Sequence, residues 1–99
     1  MPASSEPYRE AAIAERVVVL PKHLHARPAG QVAQAAARRH PTTVELAAGD
    51  RNANARSVLA IMALGAVTGS EVRVTVAGSD ADAVADEVVE ILLSPERTP

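Results

Sequence analysis

Glu71-Val72-Arg73-Val74-Thr75-Val76, followed closely by Ser79-Asp80-Ala81-Asp82, is the stretch on which the fold turns. Its first six residues alternate polar and apolar, the period of a half-buried strand. The second cluster reads as a helix start with an acidic first turn, which suits the positive end of a helix. Val84, Val88, Ile91 and Leu92 then recur at i, i+4, i+7 and i+8, one face of that helix, and Ser94-Pro95 stops it. Moving towards the N-terminus, Ser57 to Leu64 is a short apolar segment ended by Gly65 and read as a helix capped by Ser57 or a residue just before it. Thr42 to Leu46 alternates like a strand, Gly49-Asp50 is a turn, and Arg51 to Asn54 is a short returning strand. Ala29, Val32, Ala33 and Ala36 mark one face of an earlier helix. Pro28 fits that helix only in its first turn, so the helix begins close to Ala26, and His40-Pro41 closes it. Val17-Val18-Val19-Leu20 ends the first strand, and Pro21 punctuates it. The order is β-α-β-β-α-β-α, an α+β two-layer sandwich with a four-stranded antiparallel sheet covered on one face by three helices. A ferredoxin-like domain with an added C-terminal helix has the same element string, and strand order, which the pattern leaves open, separates the two.

Ninety-nine residues with 47% hydrophobic content make one small domain. We expect residues 1–11 to be a flexible tail, 12–93 the domain, and 94–99 a C-terminal tail. Phe and Trp are absent, so the core is aliphatic and of ordinary stability. A formal net charge of −2 without a basic run argues against nucleic-acid binding. With no Cys there is no disulfide or thiolate chemistry. The first residues lack the pattern of a signal peptide, and no apolar run approaches the roughly 20 residues that span a bilayer. The expectation is a cytoplasmic protein without membrane insertion.

His25 stands just before the helix that Pro28 anchors. The first turn of a helix presents unpaired N–H groups and the positive end of the macrodipole, an anion site. Arg27 adds a guanidinium fork suited to phosphate oxygens. A neutral imidazole is a nucleophile, and the reference pKa of about 6.5 leaves much of such a ring neutral near pH 7. A phosphoryl group taken by His25 would lie against the amides of Ala26 and Arg27 and against the Arg27 fork. The plainer reading of the same residues is a helix cap or surface histidine beside a solvated charge. His23 and His25 also admit a metal-ligand reading, which no carboxylate or Cys at a recognisable spacing supports. Spacing alone leaves these readings side by side.

Leu24-His25-Ala26-Arg27-Pro28-Ala29 resembles the active-site motif of the HPr family, the histidine-containing phosphocarriers of the phosphoenolpyruvate-dependent sugar phosphotransferase system. Asn54-Ala55-Arg56-Ser57-Val58-Leu59-Ala60-Ile61-Met62-Ala63-Leu64-Gly65 resembles that family's regulatory-serine segment, at the family's separation. The resemblance covers roughly Ala12 to Leu93 and implies the open-faced sandwich of that family. It implies that His25 is phosphorylated through Nδ1 (a pros-phosphohistidine) with Arg27 assisting, and that the chain is a stoichiometric carrier rather than an enzyme. Enzyme I is the implied donor and the EIIA domain of a sugar permease the implied acceptor, with a monomer and no cofactor or metal expected. Ser57 falls where many members are phosphorylated by a bifunctional kinase/phosphorylase, here an HPr kinase/phosphorylase.

Leu59, Ile61 and Met62 carry more apolar area than so short a segment buries, which points to a docking patch formed with Arg56 and Val58. Burial in the core is the competing expectation, strongest for Ile61. Several positions depart from the family pattern. His23 stands where a Gly usually precedes the Leu-His pair, and Lys22 where an Asn is common. Gln34 and Ala37 are uncharged where relatives offer lysines, so docking leans on apolar contact. The alternative function is a regulatory module of the same fold that binds a transcription factor or metabolic enzyme. Relatives of that sort lose the histidine, whereas His25, Arg27 and Pro28 are all present here.

Overall fold

The branched run Val17-Val18-Val19 carries the chain into a seven-residue edge strand, β1 (Ile13–Val19). In the computed structural model, which describes residues 12–94, there follow α1 (Ala26–Arg38), β2 (Thr43–Ala48), β3 (Arg51–Asn54), α2 (Val58–Ala63), β4 (Glu71–Ala77) and α3 (Ala81–Leu93). The expected tails, residues 1–11 and all but Ser94 of 94–99, lie outside the described residues.

The element order is the one read from the periodicities, and strand order decides between the two sandwiches. The sheet runs β1-β4-β2-β3 with every neighbouring pair antiparallel. The last strand thus inserts between β1 and β2, pairing Val18 with Val72 on one side and Leu46 with Val74 on the other. Alternate residues along the strands face the helices: Ala14, Val18, Val44, Leu46, Ala53, Val72, Val74 and Val76 are all buried. Their neighbours Glu15, Val17, Glu45 and Arg73 lie on the opposite, open face and are exposed. This period-two division is the signature of a sheet with one covered face.

Each long helix buries the stripe that its spacing defines. α1 buries Ala29, Val32, Ala33 and Ala36, and α3 buries Val84, Val88 and Leu92, with Ile91 half-buried. Alanines at Ala33, Ala36, Ala81 and Ala85 keep these stripes thin, so α1 packs closely on α3 while α3 lies over β1 and β4. α2 packs on α1 and β3. The largest fully buried side chains among the described residues are aliphatic, led by Leu20, Leu46, Ile61 and Leu92.

The start of α3 differs from a simple cap. Asp80 is its N-cap, yet its side chain makes no capping hydrogen bond. One carboxylate oxygen accepts the Thr42 hydroxyl, and the other lies 3.9 Å from Arg39. Arg38 and Arg39 also reach Glu87, at 3.2 and 3.1 Å. Arg16 of β1 lies 3.3 Å from both Asp82 and Asp86, and its guanidinium is held above the ordinary arginine value chiefly by the Asp82 hydrogen bond. Exposed pairs of this kind add little stability; they link α3 to α1 and β1 at the surface of the packed core.

Ile61 is fully buried whereas Leu59 is 79% exposed. Ile61→Ala should therefore cost about 2–5 kcal/mol in urea unfolding, while Leu59→Glu should stay within about 0.5 kcal/mol of the parent. A large loss from Leu59→Glu would show that this side chain is part of the core.

Candidate functional site

The site is built at the start of α1. Pro28 occupies the third helical position, where its missing N–H removes no intrahelical bond, and its ring is fully buried. His25 becomes the N-cap with extended backbone, φ −95° and ψ −165°. Its carbonyl accepts the first helical bond, from Ala29 N–H at 3.0 Å, while its side chain makes no capping hydrogen bond. The imidazole is exposed at the helix start. Because Pro28 has no donor, the first-turn N–H groups left pointing out of the helix are those of Ala26 and Arg27.

The Arg27 side chain is exposed and makes no hydrogen bond or ion pair among the described residues. It stands at one end of a groove between α1 and α3, beside Lys22 and Gln31. His25, Ala26 and Arg27 thus combine a nucleophilic ring, two backbone donors and a guanidinium within one helical turn. That set can receive a dianionic phosphoryl group and spread its charge over fixed donors.

The loop before His25 is tied to the segment leading into β4. Leu20 N–H donates to Ser70 O at 2.9 Å, Gly69 N–H to Leu20 O at 2.8 Å, and Leu24 N–H to Ala66 O at 3.1 Å. Leu24 is buried and plugs the core beneath the loop. His23, exposed, accepts at Nδ1 from Thr68 N–H at 3.1 Å, with the Thr68 hydroxyl 3.2 Å from the same atom. Lys22 donates its ammonium to the Ser94 carbonyl. Thr68 belongs to no motif, and a contact spanning 45 residues leaves no local trace in the chain. No group of three or more potential metal-ligating side chains occurs among the described residues.

The second block forms α2. Ser57 is its N-cap, exposed, with Oγ accepting from Ala60 N–H at 3.1 Å. The turn before it is closed by Asn54, whose Oδ1 accepts from Arg56 N–H at 2.9 Å and whose carbonyl accepts from Ser57 N–H at 3.0 Å. Arg51 donates to the Ala63 carbonyl at 3.0 Å, closing the other end of this short helix. Of the apolar residues, Ile61 faces the core, Val58 is half-buried against it, and Leu59 and Met62 are exposed. Val67 of the following loop, 47% exposed, extends the apolar surface beyond α2. Arg56, Gln34 and Ala37 are exposed.

No helix among the described residues is long and apolar enough to cross a membrane. The family model of the HPr component phosphorylation site of the phosphotransferase system matches residues 14–94. Among solved structures, the phosphocarrier protein HPr of Bacillus anthracis is 30% identical, with 82% of this chain and 98% of that one covered and a TM-score of 0.75. The histidine-containing phosphocarrier protein of a mycoplasma is 25% identical, covering 83% of this chain and all of the other, at a TM-score of 0.71. Crh, the catabolite repression containing protein of Bacillus subtilis, solved as a swapped dimer, is 31% identical over 76% of this chain and 85% of its own, at 0.64. No curated protein sequence matches the chain. With the motif at the start of α1, the sheet order and the family match in agreement, the chain belongs to the HPr family of phosphocarrier proteins of the phosphotransferase system.

Proposed function

We propose that His25 accepts a phosphoryl group on Nδ1 from phosphorylated Enzyme I and passes it to the EIIA domain of a sugar permease. The observation that carries this reading is the exposed imidazole at the N-cap of α1, set beside the Ala26 and Arg27 donors. In the forward step the lone pair on Nδ1 forms the N–P bond as the bond between phosphorus and the donor breaks in line. The reverse exchange delivers the group to the acceptor. The transferring group is loosely bonded at both ends in transit, so fixed amides and a guanidinium stabilise it in either direction. The chain is then a stoichiometric relay acting in the cytoplasm, with its domain at residues 12–93, and the partner supplies the remaining catalytic geometry.

Docking is assigned to Leu59 and Met62, exposed on the helix that packs beside α1, with Arg56 and Val58 at their margin. Neutral Gln34 and Ala37 on α1 leave apolar contact as the main attraction. Ser57 is proposed as a regulatory phosphorylation site for an HPr kinase/phosphorylase. A phosphate there is compatible with the helix start, because its oxygens can replace the hydroxyl as acceptor of Ala60 N–H. It also puts two negative charges beside the docking patch, where a partner must strip their water. The likeness to Crh favours a second reading, a regulatory binding module. The presence of His25, Arg27 and Pro28 together weighs for the carrier.

Incubation with phosphoenolpyruvate and Enzyme I should place an acid-labile, base-stable phosphate on His25. His25→Ala should keep its fold and take up none, and label retained in that variant or mapped to His23 or His40 would refute the assignment. Arg27→Ala should leave thermal stability unchanged, because the side chain has no partner among the described residues. Its transfer should slow about tenfold to hundredfold, the loss of a charged hydrogen bond of about 1.5–3 kcal/mol, with Arg27→Lys recovering only part. Wild-type transfer in Arg27→Ala would mean that the helix amides suffice. Ser57→Asp should fold normally and receive the phosphoryl group more slowly, the defect shrinking as salt is added. Equal rates at low salt would leave Ser57 a helix cap and nothing more.

A further inference from the structure

The loop that delivers His25 is pinned along its length, and one of the pins is a residue that the phosphoryl chemistry does not use. Backbone bonds hold its two ends: Leu20 to Gly69 and Ser70, and Leu24 to Ala66. Between them Pro21 has no N–H, and no backbone bond from Lys22 or His23 reaches the facing segment among the described residues. Two side chains fill that gap. Lys22 reaches the carbonyl of Ser94, the C-cap of α3, where orphan carbonyls and the negative end of the helix favour a cation. His23 reaches Thr68 on the other side.

The His23 contact fixes a chemical state as well as a position. A backbone N–H can only donate, so Nδ1 of His23 must hold its lone pair towards Thr68, and the proton of the neutral ring resides on Nε2. The Thr68 hydroxyl, 3.2 Å from the same atom, donates to it or to another acceptor without altering that assignment. We infer that His23 is a positioning residue. Through Nδ1 it locks the middle of the loop to Thr68 and so holds the exposed His25 imidazole near one orientation at the start of α1. A glycine at this position, usual in the family, has no side chain with which to form such a lock. The inference rests on the reading that His25 takes up the phosphoryl group. On this reading the two neighbouring imidazoles are not interchangeable, because the Nδ1 of His23 is committed to Thr68.

The two amide side chains distinguish this role from simple occupancy, because the Asn carbonyl oxygen stands where Nδ1 does and the Gln carbonyl oxygen reaches further out. His23→Asn should transfer within about twofold of the parent, whereas His23→Gln and His23→Gly should be about threefold to tenfold slower, the effect of losing one neutral hydrogen bond. Thermal unfolding of all three checks that the differences are local. Nitrogen NMR of the ring in the unphosphorylated protein should show the His23 proton on Nε2, and Thr68 N–H should exchange slowly in the parent and in His23→Asn but quickly in His23→Gly. A proton on Nδ1, equal rescue by Gln and Asn, or parental transfer by His23→Gly would each overturn the inference. If the parent itself takes no phosphoryl group from Enzyme I, the proposed function fails. The positioning role is then decided by the NMR, where Thr68 protection unchanged in His23→Gly refutes it.

Discussion

Pro28 is the constraint from which the rest of the site follows. A proline inside a helix lacks its own N–H and collides with the carbonyl four residues earlier, which here is that of Leu24. α1 therefore cannot run back through Leu24 and His25, although nothing else in Leu24-His25-Ala26 forbids helix. The chain must turn extended at His25 and begin winding at Ala26. That places an imidazole at the N-cap, just outside the first turn, and it strips the turn to the two donors of Ala26 and Arg27. The ring of Pro28 is itself buried, so packing holds the helix start in place as well as backbone chemistry does.

Around that start the two ends of α1 are secured by different forces. The far end is tied by charge: Arg38 and Arg39 meet Glu87, and Arg39 approaches Asp80. The near end is tied by the Pro21–Leu24 loop, which is bonded to the 66–70 segment and plugged into the core by Leu24. Between them the alanine-rich face of α1 sits tightly against α3. Alanine loses no side-chain entropy on burial, so a core built largely from Ala, Val and Leu orders cheaply even though it buries less area than an aromatic one.

A carrier must expose its reactive atom and still present it in a defined orientation, and the two blocks of this chain divide that task. α1 carries the proposed nucleophile, His25, at its N-cap and the Ala26 and Arg27 donors in its first turn. α2 has six residues and one fully buried side chain, Ile61, so it can offer Leu59 and Met62 to solvent without loss of the core. Ser57 joins the two requirements, because the hydroxyl that caps α2 is also the group proposed for modification. Both forms of the side chain can accept the Ala60 N–H, so the proposed modification would change the charge beside the proposed docking patch while the helix persists.

Much of this was legible in the chain. Local periodicity determined the element order and the buried faces of α1 and α3, because each depends on neighbours a few residues away. Pro28 alone determined where α1 starts, and the cap of α2 was readable as Ser57 or a residue just before it, the structure making it Ser57. The motif around His25 indicated phosphoryl chemistry, although spacing by itself left a plain cap and a metal ligand as rivals. The tertiary structure decided the rest. It inserted β4 between β1 and β2, sent Ile61 inward and Leu59 outward, and aimed the carboxylate of the N-cap residue Asp80 at Thr42 and Arg39 rather than at the first turn of α3. It also joined His23 to Thr68. These outcomes share one physical reason. A period or a proline acts through the backbone of its own segment, whereas strand insertion pairs β4 with residues 26 to 34 positions away in β2 and 52 to 64 away in β1, and the Asp80 and His23 contacts span 38 to 45. Such partners meet only when the whole sheet has closed.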